Sequence, residues 1–385
     1  MAGFLFNLDS EQSLKDSISK GIYSTNLTTP DGIWKTHHEA TFTDYFSMKE
    51  GDNVFFFIKR KIYGIGILTN INDDCKFLNY PDANKPTVQN YKHIKNKLLF
   101  DIGGEVSLNY RFICTFIPSP FFFINGIDMD DILTSSPKSF IILRALWKRS
   151  FIKFTEEENQ ALKNILLRRN VNAIKKPKNK TFQVDYKSHH KKIELKLKNN
   201  NHYNTSIKPL LETIANNDGS IKHEMAIEAA LVHQISSKDQ KTVSIFGEWD
   251  YISHQVIASP FKPIDYMDKM DIFGYRYIEN QKPTIHKFLV IEIKKGDIDK
   301  QDVIQLMKYV DWVKNEYAFG DYSMIDAFLV GFSFNKEVLI SVNDIVERKY
   351  IYGVRPSVSD TWKNVKFIKY EYKSNNNTID FSEHG

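Results

Sequence analysis

Cysteine is almost absent from this chain. Cys75 and Cys114 are the only two in 385 residues, too few for a disulfide framework or a Cys-rich zinc site, so the chain reads as one from a reducing compartment. The N-terminus, MAGFLFNLDSEQ, lacks the basic-then-apolar pattern of a signal peptide. A bilayer-spanning run is missing too: the most apolar region, Phe112 to Ile127, is short and interrupted by Pro118 and Pro120. A soluble cytoplasmic protein with no membrane partner is expected. Nor is there a large excess of one charge, since 52 Lys+Arg against 47 Asp+Glu leave only +5. That balance fits a nucleic-acid partner without requiring one, because lysines can still gather on one face. No repeat of solenoid period is evident.

What is present is apolar and aromatic mass: 42% hydrophobic and 14% aromatic residues, enough for large cores. The length suits two or three domains of roughly 100–200 residues each. Residues 1–170 read as an α+β unit. Phe4–Asn7 reads as a strand, and Ser10–Lys20 as a helix capped by Asp9 or Ser10 and ended by Gly21. Gly51-Asp52-Asn53 marks a turn before a hairpin of Val54–Lys59 and Tyr63–Leu68. Tyr110–Ile117 is a further strand, and Thr155 opens an acidic-first helix to about Arg169. Residues 171–205 are rich in Lys and Asn and read as a solvated basic linker that could strap a phosphate backbone.

Residues 206–372 form a second unit. Helices are expected at Ile207–Asn216, His223–Ile235, Lys300–Tyr317 and near Val342–Arg348. Strands are expected at Thr242–Phe246, Met270–Ile278, Phe288–Lys294 and Asp326–Phe332, giving a mixed sheet with helices upon it. Residues 373–385 read as a polar, frayed tail.

The chemistry concentrates in FLVIEIKK, Phe288–Lys295. Strand alternation sends Glu292 and Lys294 out of one face while Leu289, Ile291 and Ile293 pack behind. Upstream, Asp271 sits between Met270 and Ile272 at the start of another strand, where an Asp and a Glu from paired strands can share one hard cation. Phosphodiester hydrolysis needs such a cation, with a lysine beside it to orient water and offset transition-state charge. Alone, an E-x-K segment is ordinarily a surface ion pair. Three neighbours strengthen the pattern. Glu228 lies on the helix HEMAIEAALVHQI, with Glu224 as its substitute one turn earlier. Gln305 and Tyr309 share a helical face just after the strand, and the order is helix acid, strand Asp, E-x-K, then Q-x-x-x-Y.

This order resembles the PD-(D/E)xK nucleases, especially the RecB-like and mismatch-endonuclease-like branches, over about residues 220–335. The resemblance implies a restriction-endonuclease-like mixed sheet flanked by helices, a Mg²⁺ or Mn²⁺ site and DNA cleavage. It assigns Glu228, Asp271 and Glu292 to the metal and Lys294, Gln305 and Tyr309 to the catalytic set. Met270 precedes the aspartate where the family often has proline.

The first unit carries a second resemblance. GFLFNLDSEQSLKDSISKGIYST, followed by GDNVFFFIKRKIYGIGIL, is similar to the opening and central strands of YTH, EVE and other PUA-like, β-barrel-like folds, over about residues 3–125. A base reader needs aromatic walls for the π-face and a few polar groups for the base edge. By this likeness Tyr23 falls at the first cage wall, where Trp is usual, Ser24 at the base edge and Asp9 against the ring. Phe77, Tyr80 and Trp34 are the candidates for a second wall.

Fold class is therefore α/β and α+β. The expected function is a modification-dependent restriction endonuclease acting on modified double-stranded DNA, such as N6-methyladenine in foreign or phage DNA. Duplex cutting needs two active sites, so a homodimer is expected. A repair endonuclease for mismatched or branched DNA, a reader without cleavage, and an RNA-directed reader are the rivals.

Overall fold

Ser10 separates strand β1 (Gly3–Asn7) from helix α1 (Glu11–Lys20). Its side chain accepts the Ser13 N–H, and Gly21, at φ 63°, closes the helix in the left-handed conformation that glycine adopts without strain. The computed structural model describes residues 1–118, 122–142, 150–176, 182–198, 200–259 and 267–384. Two compact units emerge, Met1–Ile141 with Lys148–Thr213, and Ile142–Trp147 with Ile214–Gly385. The architecture is mixed α/β in both. Among the described residues no helix is long and apolar enough to cross a membrane.

In the first unit the chain continues through β2 (Ile22–Asn26), α2 (Thr36–Ser47), β3 (Asn53–Ile58), β4 (Lys61–Leu68), β5 (Lys76–Leu78) and α3 (Tyr91–Ile94). There follow β6 (Tyr110–Pro118), β7 (Ile127–Asp128), α4 (Met129–Ser135), β8 (Phe151–Phe154), α5 (Glu156–Arg169), α6 (Val171–Lys175), α7 (Tyr186–Leu197) and α8 (Lys208–Ile214). One sheet runs β2-β6-β4-β3-β1-β8, with β5 added on β6 and β7 on β4. The β3–β4 hairpin turns through Lys59 and Arg60, both at positive φ, a twist that matches the flanking strands. Strand β6 serves two partnerships. Its first half pairs with β2 on one edge and β5 on the other, and its last three residues pair with β4.

The sheet curls around an aromatic core of Phe6, Tyr23, Phe56, Phe116, Phe122 and Phe151, whose contacting rings lie 4.3–5.9 Å apart. At Gly64 (φ +94°) a Cβ would stand 1.6 Å from the Phe122 ring, so only glycine fits.

The stretch 171–205, expected as a solvated linker, belongs to this unit, and among its described residues Val171–Lys175 and Tyr186–Leu197 are helical. Helix α7 turns Ile193 and Leu197 into a cluster with Ile22, Phe77, Phe100 and Ile113. Tyr186, His190, Ile193 and Leu197 recur at helical spacing among lysines, so composition hides a narrow packing stripe. The His190 ring bonds the Gly21 carbonyl at 2.9 Å.

The second unit contains α9 (Glu224–Ser236), α10 (Gln240–Phe246), β9 (Tyr251–Ile257), β10 (Lys269–Tyr277), β11 (Ile285–Ile293), β12 (Asp297–Ile298) and α11 (Lys300–Glu316). It continues with β13 (Ile325–Gly331), β14 (Ser333–Phe334), α12 (Lys336–Val346), β15 (Arg348–Val354), β16 (Ser357–Trp362), β17 (Val365–Lys373) and β18 (Thr378–Glu383). The main sheet has the order β18-β17-β13-β11-β10-β9. Strands β11, β13 and β17 run parallel, and the remaining pairings are antiparallel. Phe288, Val290, Ala327 and Leu329 face Leu306, Val310 and Val313 of α11. The alternate residues Leu289, Ile291 and Phe328 are buried on the opposite face, where the Phe246 ring of α10 meets Phe328 at 5.0 Å. A strand covered on both faces reads as a continuous apolar run, as FLVI does.

Two expectations fail here. Thr242–Phe246 is not a strand but helix α10, because the Asp239 carboxylate caps it by accepting the Thr242 N–H at 3.0 Å. The tail after Lys373 is not frayed: β18 pairs with β17 and buries Ile379 and Phe381. Strand β9 and the β15–β16 hairpin were not foreseen.

Candidate active site

Strands β10 and β11 are antiparallel neighbours, and the pair at the end of their ladder, Ile272 with Ile291, sets Asp271 beside Glu292. Asp271 Oδ2 accepts the backbone N–H of Ile293 at 2.7 Å, which locks the carboxylate across the strand pair. Glu292 is only 1% exposed. Its Oε1 accepts from Lys294 Nζ at 2.8 Å, as two-residue spacing on one strand face permits. Its Oε2 is buried and receives no hydrogen bond. Lys294 also donates to Gln305 Oε1 at 3.3 Å, and Gln305 Nε2 donates to the Tyr309 hydroxyl at 2.9 Å. Asp302, at the start of the same helix, stands 3.8 Å from the ammonium.

Helix α9 brings the third acid. Glu228 is buried, its Oε1 at 2.9 Å from His254 Nδ1 and its Oε2 accepting from Gln255 Nε2 at 3.2 Å. Gln255 Nε2 also reaches Asp271 Oδ1 at 3.0 Å, so one amide ties the helix acid to the strand acid. Glu224 stands further round, its Oε1 accepting the Lys295 N–H at 3.3 Å. The six residues singled out in this unit fall into two hydrogen-bonded groups, Glu292–Lys294–Gln305–Tyr309 and Glu228–Gln255–Asp271, which meet where Asp271 accepts the Ile293 N–H beside Glu292. His254 and Gln255 were missed. Their signal was the β-branched alternation of YISHQVI, which marks β9. Gln255 also takes a positive φ of 51°, a conformation unusual for a non-glycine residue and common at functional sites.

The electrostatics follow from crowding. Burial, then the charges of Glu292 and Glu228, push Asp271 well above the usual carboxylate range, against the pull of the Ile293 N–H and Lys294. Burial pushes Glu292 up to about 7, although Lys294 draws it down. Burial weighs against the Lys294 ammonium, but Glu292, Asp271 and Glu224 outweigh it and hold it charged. With Asp271 and Glu292 both ionised, Glu292 Oε2 has no donor, so a proton or a cation must answer the paired charge.

The donor set fits a hard divalent cation: carboxylate oxygens of Asp271 and Glu292, one of them orphaned, and no soft ligand. Glu228 is engaged by His254 and Gln255, and among the described residues no three His, Cys, Asp or Glu side chains form a finished cage. Two protein carboxylates plus water is the coordination Mg²⁺ ordinarily accepts.

The first unit holds a cleft of about 470 Å³ between the start of α1 and strands β2 and β6. Asp9, Tyr23 and Ser24 line it, together with Asn26, Phe100 and Tyr110, which were not anticipated. The register Asn26 with Tyr110 brings the last of these in. Tyr23 is mostly interior, its ring tilted against Phe6 with centroids 4.3 Å apart, and Ser24 Oγ donates to the Phe112 carbonyl. Burial, then Asp9 and Asp16, raise the Tyr110 phenol. Trp34, Phe77 and Tyr80 lie outside the lining. Trp34 is packed on Phe42 and lies under the buried Arg111 guanidinium. Phe77 belongs to the α7 cluster, and the Tyr80 hydroxyl is satisfied by the Leu108 carbonyl at 2.7 Å. All three are buried core residues, Phe77 on strand β5 and Trp34 and Tyr80 on the irregular segments that pack against the sheet.

No known protein family matches the chain, and no curated protein does. Among solved structures it is similar to the crystal structure of a repair endonuclease from Pyrococcus abyssi, at 23% identity, covering 30% of this chain and 42% of that one with a TM-score of 0.21. That likeness is too slight to establish a shared fold.

Proposed function

We propose that the second unit is a restriction-endonuclease-like, divalent-cation-dependent nuclease acting on DNA, and that the PUA-like first unit reads a modified base, which makes the chain a modification-dependent DNA endonuclease. The observation that carries the reading is the buried, donorless Oε2 of Glu292 beside Asp271 and Lys294.

Asp271 and Glu292 would hold Mg²⁺ or Mn²⁺, which when bound supplies Lewis-acid polarisation of the phosphodiester and makes water a competent nucleophile near neutral pH. Lys294, charged and steered by Glu292 and Gln305, orients that water and offsets the negative charge that develops on phosphorus oxygens. Tyr309 fixes the Gln305 amide so that its carbonyl faces the ammonium. Gln255 and His254 keep Glu228 poised beside Asp271 as a reserve carboxylate.

In the first unit Asp9 offers an acceptor for an exocyclic base N–H, while Tyr110, Phe100 and the edge of Tyr23 offer apolar wall. N6-methyladenine suits such a cleft, since one N–H remains and the methyl needs apolar cover. Joining reader and blade in one chain raises the local concentration of the blade near modified sites. Duplex cutting would take two chains, as a homodimer or meeting on DNA.

The test is incubation of the full chain and Mg²⁺ with matched plasmids that are N6-methylated, cytosine-modified or unmodified. Cutting of one modified plasmid alone supports the reading. Equal cutting of all, with preference for mismatches or flaps, assigns a repair endonuclease instead. No cutting in Mg²⁺ or Mn²⁺ leaves a binder and overturns the nuclease reading.

A further inference from the structure

Beside the base cleft lies a second cavity of about 440 Å³, formed where α7 crosses the end of α1 and the segment 98–101. Lys20, His189, Lys192 and Lys196 line it, over an apolar floor that includes Phe100 and Leu195. Phe100 lines both cavities, so the two lie side by side.

The charge here is unbalanced. Among the described residues no carboxylate is ion-paired with Lys20, Lys192 or Lys196; Lys20 sits over the Phe100 ring at 4.8 Å, and Lys196 donates to the Leu98 carbonyl. The one acid in the lining, Asp101, is already occupied. Its Oδ1 accepts from Ser107 at 2.6 Å and the Gly103 N–H at 2.8 Å, and its Oδ2 from Tyr91 at 2.9 Å. Burial, then Lys192 and Lys20, lower the His189 pKa, which records the same crowding of positive charge. Leu195 is 66% exposed, an unusual apolar surface to leave amid lysines.

The neighbouring cleft has the opposite character. Asp9 and Asp16 line it and no lysine or arginine does. A phosphate is repelled there and attracted next door, whereas a neutral base is tolerated there.

We infer that the α7 groove is a phosphodiester track for a single-stranded stretch of nucleic acid, holding the backbone phosphates next to a base lodged in the cleft. The lysines take phosphate oxygens, while Leu195 and Phe100 meet the sugar and base faces. The inference rests on the reader half of the proposed function and not on the nuclease half. It assigns α7, which composition marks only as basic linker, to the reader as a structural wall.

The test is binding of a fluorescein-labelled single-stranded oligodeoxynucleotide by the full chain in EDTA, across a salt series, for the native protein and for Lys20→Gln/Lys192→Gln. Both side chains lie at the cavity rim, and thermal denaturation of the variant checks the fold; Lys192→Arg should bind as the native chain does. The log affinity of the native chain should fall linearly with log salt. The double variant should bind at least about 10-fold more weakly at low salt, with a slope shallower by about 1.4, two contacts at about 0.7 each for single strands. An unchanged affinity and slope in the folded double variant, or no binding by the native chain at low salt, overturns the groove. Lysine-dependent binding without any Mg²⁺-dependent cleavage keeps the groove and rejects the nuclease reading, so the two failures are distinguishable.

Discussion

The carboxylate of Asp271 accepts the backbone N–H of Ile293 at 2.7 Å. That contact joins the two acid-bearing strands one residue past Glu292, so the two acids are positioned by the sheet itself rather than by loops. A site on strands is held more tightly than a site on loops, and the tightness is what phosphoryl chemistry needs.

Lys294→Ala should reduce Mg²⁺-dependent cleavage by about 10²–10³-fold, the usual cost of losing one donor to transition-state charge. DNA affinity should change little, because the ammonium acts mainly on the transition state. Supercoiled-plasmid nicking and a binding titration in Ca²⁺ measure the two. Cleavage at the native rate would remove Lys294 from the site.

Glu292→Gln should abolish cleavage and stabilise the second unit in the absence of divalent cations. The amide keeps an oxygen for Lys294 and places an N–H₂ where Oε2 lacked a donor. The sign follows from the raised pKa: a carboxyl held at about 7 when folded and 4.5 when unfolded costs stability as pH rises through that window, and the full cost stands above it. The gain should therefore approach about 3 kcal/mol at pH 8, or about 6–12 °C in Tm, and vanish below the unfolded value. A destabilised variant at pH 8 would mean the acid pair is already compensated.

His38 should make the first unit acid-sensitive. It is 2% exposed and its Nδ1 accepts the Lys35 N–H at 3.2 Å, so the neutral ring carries its proton on Nε2. Burial, then His37, Arg111 and Lys35, lower its pKa from 6.5 to about 4. Between those values the unfolded histidine binds a proton and the folded one does not, so stability falls as pH drops through the window, by about 2–3 kcal/mol. Urea midpoints at pH 7.5 and 4.5 measure it, and His38→Gln should flatten the difference. An equal slope in that variant assigns the effect to other groups.

Asp9→Ala should leave stability within about 0.5 kcal/mol, since the residue is exposed, while erasing the preference for a modified base. Tyr23→Ala is expected to lose discrimination too, but it also empties an aromatic core position and should cost about 3–5 kcal/mol. Asp9 is therefore the cleaner probe. Competition binding of methylated against unmethylated oligonucleotides reads the outcome, and full discrimination by the Asp9 variant places base recognition elsewhere.

Some of this was written in local chemistry. Ser10 and Gly21 bound α1, Thr155 and Glu158 form a capping box on α5, and the run FLVI declares a strand buried on both faces; each signal lies within a few residues of what it controls. The alternation that puts Glu292 and Lys294 on one face, and the helical spacing of Gln305 and Tyr309, are of the same short range. Tertiary structure decided the rest, because it depends on partners far along the chain. Helix α10 arises although Thr242–Phe246 is rich in strand-preferring residues, because Asp239 caps it and Phe246 packs on Phe328. Helix α7 is fixed by Ile22 and Phe100, and β18 by β17. Gln255 becomes the bridge between Glu228 and Asp271 only when α9, β9 and β10 meet. Periodicity determines which face a side chain leaves, but what it meets there is set by contacts whose sequence separation no local pattern encodes.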